Sequence, residues 1–221
     1  MRKIAIIHTT PATVGPLKAL AEEFIPGCEV ANFVDDSILP QLARNGGDVT
    51  EVADRLVQYA RFAEEVGAEA ILSACSSVGE LADLAQASVT VPVIRIDQAM
   101  AEESVRRGRT IGVAATLNTT LKPTIRLLQQ MAGRAGVEVQ IQPILVEAAY
   151  QRLMAGDPEG HDAILAEMLS QLAGEVDVVV LAQASMARVL PRLPESQQSK
   201  FLSSPRLAMR QVQQALEGKH A

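Results

Sequence analysis

The sequence predicts an α/β fold of two pseudo-symmetric lobes, each with a mainly parallel sheet flanked by helices. Three observations predict it. Short β-branched runs alternate with longer segments of 3.6-residue period, turn signals mark each change, and the second half of the chain repeats the pattern of the first. Strands are expected at Lys3–His8, Glu29–Phe33, Ala70–Ala74 and Val93–Ile96, then at Thr110–Ala115, Glu138–Gln142 and Val176–Ala182. Between them, apolar residues at three- and four-residue spacing predict helices at Val14–Glu23, Thr50–Val66, Val78–Ala87, Gln98–Arg107, Thr119–Ala135, His161–Gly174 and Pro205–Glu217. Asn45-Gly46-Gly47-Asp48 and Gly156-Asp157-Pro158-Glu159-Gly160 are loops by composition.

The repeat is visible in the residues themselves. Arg2–Thr9 aligns with Arg109–Thr116 at an offset of 109 − 2 = 107, and Glu65–Cys75 aligns with Gly174–Gln183 so that Cys75 meets Gln183 at 183 − 75 = 108. Two nearly equal offsets describe one unit used twice, with lobes at 1–97 and 98–221 and a terminal helix 205–217 placed to pack on the first. Ligands of open α/β sheets bind beyond the carboxyl ends of strands. Thr9, Cys75, Thr116 and Gln183 are therefore expected to point into a cleft between the lobes, which would hold the active site.

Composition removes several classes of function. A chain of 221 residues with 48% hydrophobic and 21% charged side chains can bury a sizeable core. Twenty-six acidic against 20 basic residues give a net charge of −6, and only 3% are aromatic, which argues against a surface that tracks phosphates and stacks bases. No apolar run approaches the roughly 18 residues of a membrane span, and Met1–His8 is too short an apolar run for a signal peptide. Two cysteines are too few for a disulfide framework, so a soluble cytoplasmic protein with reduced thiols is expected.

The chemistry is concentrated after the third strand, in Ser73-Ala74-Cys75-Ser76-Ser77-Val78-Gly79-Glu80. Ser77 and Glu80 have capping-box spacing, which predicts a helix start immediately after Cys75. A thiol there feels the positive end of the helix dipole, so its pKa is expected to fall, making it a base or nucleophile. The ordinary fate of a free cysteine is that of a small buried apolar residue, and Cys28, after Pro26-Gly27, is read that way. In the second half, Ala115-Thr116-Leu117-Asn118-Thr119 offers hydroxyls, an amide and helix-start N–H groups suited to a carboxylate, with N-capping by Asn118 or Thr119 as the plain reading. Thr9 and Thr10 give the first-half loop the same character. His8 is a possible proton-transfer group, while His161 and His220 are read as surface residues. Asp35-Asp36 is read as a solvated turn and Asp177 as the charged start of a buried strand. The histidines and cysteines lack metal-ligand spacing, so no metal is expected. No G-x-G-x-x-G, P-loop or G-x-S-x-G motif is present.

Together the half-repeat, Ala74-Cys75-Ser76-Ser77, Ala115-Thr116-Leu117-Asn118-Thr119 and Val179-Val180-Leu181-Ala182-Gln183-Ala184-Ser185 resemble the aspartate/glutamate/hydantoin racemase superfamily over nearly the whole chain. The resemblance implies two lobes with the active site between them, no cofactor, a homo-oligomer, and one cysteine on each face of the substrate α-carbon. Cys75 matches the first of these cysteines, with Ser76 and Ser77 replacing the asparagine and threonine of the family motif. Ala182-Gln183-Ala184-Ser185 stands where the family has glycine-cysteine-threonine-histidine, so the second thiol is absent. An amide does not titrate near neutrality, but Gln183 can hold a substrate oxygen. Pro143-Ile144-Leu145-Val146-Glu147 resembles a family segment that places a glutamate beside the site, which makes Glu147 a further candidate. The expected function is isomerisation at carbon next to a carbonyl or carboxylate in a small polar metabolite. Cys75 and Gln183 would be catalytic, and Thr9, Thr10, Ser76, Ser77, Thr116, Asn118, Thr119, Ala184 and Ser185 would bind substrate. A decarboxylase and a noncatalytic small-ligand protein are the alternatives.

Overall fold

A computed structural model describes residues 2–218. Four parallel strands form the first sheet: β1 (Lys3–His8), β2 (Glu29–Val34), β3 (Ala70–Ser73) and β4 (Val93–Arg95), in the order β2-β1-β3-β4. A second parallel sheet is built from β5 (Thr110–Ala115), β6 (Gln140–Leu145), β7 (Val178–Leu181) and β8 (Phe201–Ser203), in the order β6-β5-β7-β8. The strands inside each sheet are buried on both faces, which is why β1, β3, β5 and β7 are apolar almost without interruption. Edge strand β6 tolerates Pro143, which would remove a ladder donor from an inner strand.

The two sheets are the same object at the level of register. Ile4 pairs with Ala70 and Ile7 with Ser73, and at offsets of 107 and 108 Ile111 pairs with Val178 and Ala114 with Leu181. The ladder ends repeat as well. Ala74 N–H donates to the Ile7 carbonyl at 2.9 Å, and Ala182 N–H donates to the Ala114 carbonyl at 2.9 Å. At the opposite edge, Asp177 accepts from Arg109 N–H and Thr110 N–H, both at 2.9 Å, as Glu69 accepts from Lys3 N–H at 3.1 Å. Asp177 is therefore a strand-start anchor.

The chain divides into two units, Asp97–Ser204 and the remainder, which runs from the amino-terminal end to Ile96 and resumes at Pro205. In the unit formed by the two ends of the chain, called outer for its place in the sequence as Asp97–Ser204 is called inner, α1 (Val14–Phe24) packs on one face of the sheet. There, Ala208, Met209, Val212 and Leu216 of α10 (Ser204–Glu217) join a core with Ile4, Ile6, Leu17, Ala21 and Leu72. The other face carries α2 (Ile38–Arg44), α3 (Ala53–Glu65) and α4 (Ala82–Gln86) over Ala5, Ile7 and Ile71. The inner unit has α5 (Gln98–Arg107), α6 (Asn118–Ala135), α7 (Glu147–Met154), α8 (Pro158–Glu175) and α9 (Glu195–Gln198), with Leu165, Leu169 and Leu172 of α8 packed on Ala114, Val179 and Leu181. No helix among the described residues is long and apolar enough to cross a membrane.

Several elements differ from expectation. The helix expected at Val78–Ala87 is a 3-10 stretch, Ser76–Leu81, followed by the five-residue α4. A further 3-10 stretch, Ala184–Arg192, together with α2, α7, α9 and β8, escaped the sequence reading because each is short or contains a proline: Pro40 in α2, Pro191 in the 3-10 stretch. α8 starts at Pro158, earlier than expected, with Asp157 accepting from Gly160 N–H at 2.8 Å. A Cβ on Gly160 would lie 2.8 Å from the Asp157 Cγ, so glycine makes this cap possible. The early start puts His161 on the same face as Leu165 and Leu169, and it is buried rather than on the surface. His220 lies outside the described residues.

Candidate active site

In the outer unit, β1 and β3 run side by side, and the residues that leave their carboxyl ends meet. Thr9 is 3% exposed and its hydroxyl donates to the sulfur of half-buried Cys75. The amides of Ser77 and Val78 and the Ser77 hydroxyl donate to the same sulfur. Cys75 itself occupies the cap position of the 3-10 stretch, so the expected capping box on Ser77 and Glu80 is not the start of this element: Ser77 lies inside the turn and turns back to the thiol. Ser76 is half-buried. Thr10 caps the turn Pro11–Thr13, accepting from Ala12 N–H at 3.4 Å.

Burial pushes the Cys75 thiol above its ordinary value, and the donors from Thr9, Ser77 and Val78 offset this only in part. This corrects the expected lowering. The element after the thiol is a 3-10 turn and then a five-residue helix, too short to align the peptide dipoles that acidify a thiol at a longer helix start, so desolvation wins. The direction of this shift favours the thiol over the thiolate.

His8 is fully buried, with Nδ1 2.8 Å from Thr13 Oγ1 and Nε2 2.9 Å from Asn32 Oδ1. Burial holds it below the usual 6.5, against a smaller opposing effect of Asn32. The imidazole is neutral, and both its nitrogens are engaged away from the thiol. Cys28 packs beside the α1 core and its thiol donates to the Ala21 carbonyl at 3.7 Å, a structural role.

The inner unit repeats the contact with a different group. Thr116, 4% exposed, donates to Gln183 Oε1 from its N–H at 2.7 Å and from its hydroxyl at 2.9 Å. Thr9 with Cys75 and Thr116 with Gln183 are thus equivalent pairs. Met186 N–H donates to the Gln183 carbonyl at 3.1 Å where Val78 N–H donates to the Cys75 carbonyl at 3.3 Å. With its Oε1 held by Thr116, Gln183 has its amide N–H groups as the end that can donate to a ligand. Leu117, with no side-chain bond, is the cap of α6, so Asn118 and Thr119 do not cap it: Asn118 is exposed as the first helical residue and Thr119 is half-buried behind it. Ala184 begins the 3-10 stretch Ala184–Arg192, and Ser185 is exposed. Glu147 is an exposed acid in the first turn of α7.

Two polar clusters were not singled out from the sequence. Asp35 is only 10% exposed and is no solvated turn: it accepts from Arg55 Nη1 at 2.9 Å, the Tyr59 hydroxyl at 2.8 Å and Ser37 N–H at 3.1 Å. Burial raises its carboxyl, but Ser37, Tyr59 and Arg55 outweigh that and hold it below the ordinary value. In the inner unit Asp162 receives Arg188 Nε at 2.9 Å and Nη2 at 2.7 Å, with His161 Nδ1 2.7 Å away. Among the described residues no group of three or more His, Cys, Asp or Glu is placed to hold a metal ion.

Residues 4–212 match the profile of the Asp/Glu/Hydantoin racemase family. The chain belongs to that family. Comparison with curated protein sequences finds no significant match. Among solved structures the chain is similar to a glutamate racemase from Bacillus anthracis (TM-score 0.74, 16% identity, covering 99% of this chain and 82% of that one). It is also similar to an aspartate racemase from Picrophilus torridus (TM-score 0.72, 12% identity, 98% and 95% covered). A glycine-to-cysteine mutant of arylmalonate decarboxylase, in a sulfate-associated form, is similar too (TM-score 0.61, 14% identity, 98% and 94% covered). At these identities the likeness is one of fold. As a member of the Asp/Glu/Hydantoin racemase family, the chain carries one strand-end thiol and, in the equivalent position, an amide.

Proposed function

We propose that this chain is a cofactor-independent isomerase that moves a proton at the carbon next to a carbonyl or carboxylate in a small polar metabolite, with Cys75 as its one catalytic thiol. The observation that carries the reading is the duplicated contact: the same threonine pairing holds a proton-transfer group in one unit and a neutral amide in the other. Cys75 takes or gives the proton. Gln183 holds the oxygen on which negative charge collects in the enolate, using its amide N–H groups. Thr9, Thr10, Ser76, Ser77, Thr116, Asn118, Thr119, Ala184 and Ser185 surround and orient the substrate, and Glu147 is the remaining candidate for proton relay, since both nitrogens of His8 are engaged by Thr13 and Asn32.

The protonated resting thiol favours a second reading, a decarboxylase. There a substrate carboxylate leaves as carbon dioxide, its bonding electrons pass into the enolate, and the Cys75 S–H protonates that carbon on one face. Water then returns the proton to sulfur. This sequence needs one acid and no base opposite it. The fold likeness to arylmalonate decarboxylase is compatible with it.

The test is incubation with a panel of small α-substituted carboxylates and malonates in deuterium oxide, followed by NMR. Deuterium entering the α-carbon without gas release supports the isomerase. Release of carbon dioxide with a single deuterium incorporated supports the lyase. In either case Cys75→Ser should abolish turnover and keep binding. Ligands that bind with neither reaction would overturn both and leave a small-ligand protein.

A further inference from the structure

Arg95 ends β4 in register with Ser73, two residues before the thiol, and is only 9% exposed. A buried guanidinium is costly to hold and its place is rarely accidental. It lies against the turn that follows Cys75: a Cβ built on buried Gly79 would stand 2.6 Å from Arg95 Cζ and 2.8 Å from Nη2. The φ of Gly79 is not positive, so glycine is required here for room and not for backbone angle. Gly79 directly follows Val78, one of the two amides that donate to the Cys75 sulfur.

The second unit serves as an internal comparison. Ser203 pairs with Leu181 as Arg95 pairs with Ser73, at 203 − 95 = 108, and Ala187 stands where the same offset places Gly79. The arginine and glycine thus accompany the thiol and are missing beside the amide. We propose that Arg95 is a positioning residue: its guanidinium, packed against Gly79, holds the Ser76–Leu81 turn so that the Ser77 and Val78 amides stay aimed at the Cys75 sulfur. When the thiol gives up its proton, these amides receive the charge. The inference rests on the proposed function only for the use made of that charge.

The test reads the thiol and needs no substrate. In a Cys28→Ser background, the rate of Cys75 alkylation by iodoacetamide is followed against pH for the parent, Arg95→Met, Arg95→Lys and Gly79→Ala. Arg95→Met should move the midpoint up by about one pH unit, which slows alkylation about tenfold at a fixed pH below it. Gly79→Ala, which displaces the guanidinium but keeps its charge, should move it the same way, and Arg95→Lys should recover only part. Parent-like midpoints in the variants that keep the parent circular dichroism would overturn the proposal, as would loss of the fold in all three, which would make Arg95 purely structural. A shifted midpoint in a protein that turns over none of the panel would instead overturn the proposed function alone.

Discussion

Cys75 and Gln183 occupy one position in a duplicated unit, and the difference between them is the difference between a group that titrates and one that does not. Thr9 supplies one of the few influences that favour a thiolate at Cys75. Thr9→Val should therefore raise the thiol further and slow its alkylation at pH 8 by about fivefold, since one hydrogen bond is worth about 1 kcal/mol. His8 makes an opposite kind of prediction. Its folded pKa lies below 6.5, so below that pH the unfolded chain takes the proton first and stability falls, until the folded pKa is reached. His8→Gln should flatten this acid limb, by at most about 1.4 kcal/mol per pH unit, in urea melts compared between pH 7.5 and 5.5. Cys75, Gln183 and their two threonines were legible in the sequence because the repeat aligned them. The acidity of the thiol was not, since desolvation depends on packing from residues far along the chain. The burial of His161 was written in its four-residue spacing from Leu165, whereas the engagement of Asp35 by Arg55 and Tyr59 required knowing where α3 docks.

At the level of elements, the Ala184–Arg192 stretch directly follows Gln183, and its irregular backbone depends on side chains for its anchorage. Arg188 and Arg192 both reach Asp162 of α8, at 2.7 Å and 3.6 Å. Asp162 is 11% exposed and Arg188 45%, so the arginine can recover water when the pair is broken. Asp162→Ala is thus expected to cost about 1–3 kcal/mol in urea denaturation rather than the larger penalty of a fully buried pair. It should also increase amide exchange across residues 184–192 while leaving the Ser76–Leu81 turn unchanged. β1, β5 and α5 were read to the residue because both faces of β1 and β5 are buried and α5 has a clean amphipathic period, whereas β3 and β7 are shorter than expected. β8 and α9 are three and four residues long, too short for any period to show.

For the whole molecule, the repeat predicts two units with the terminal helix returning to the first, and the structure supplies the side chains that make that return. Met209 of α10 is fully buried against the sheet of the outer unit. Met209→Ala should cost about 2–5 kcal/mol, read as a lower urea midpoint with an unchanged slope. That helix sits more than a hundred residues from the strands it covers. The outer unit is therefore interrupted in sequence, and the inner one is continuous from Asp97 to Ser204. A gene severed at its midpoint would yield no matched pair of halves. The leading fragment would emerge with Ile4, Ile6 and Leu72 covered on that face by α1 but not by the trailing helix, and adding that helix as a separate peptide should restore the missing part of the core.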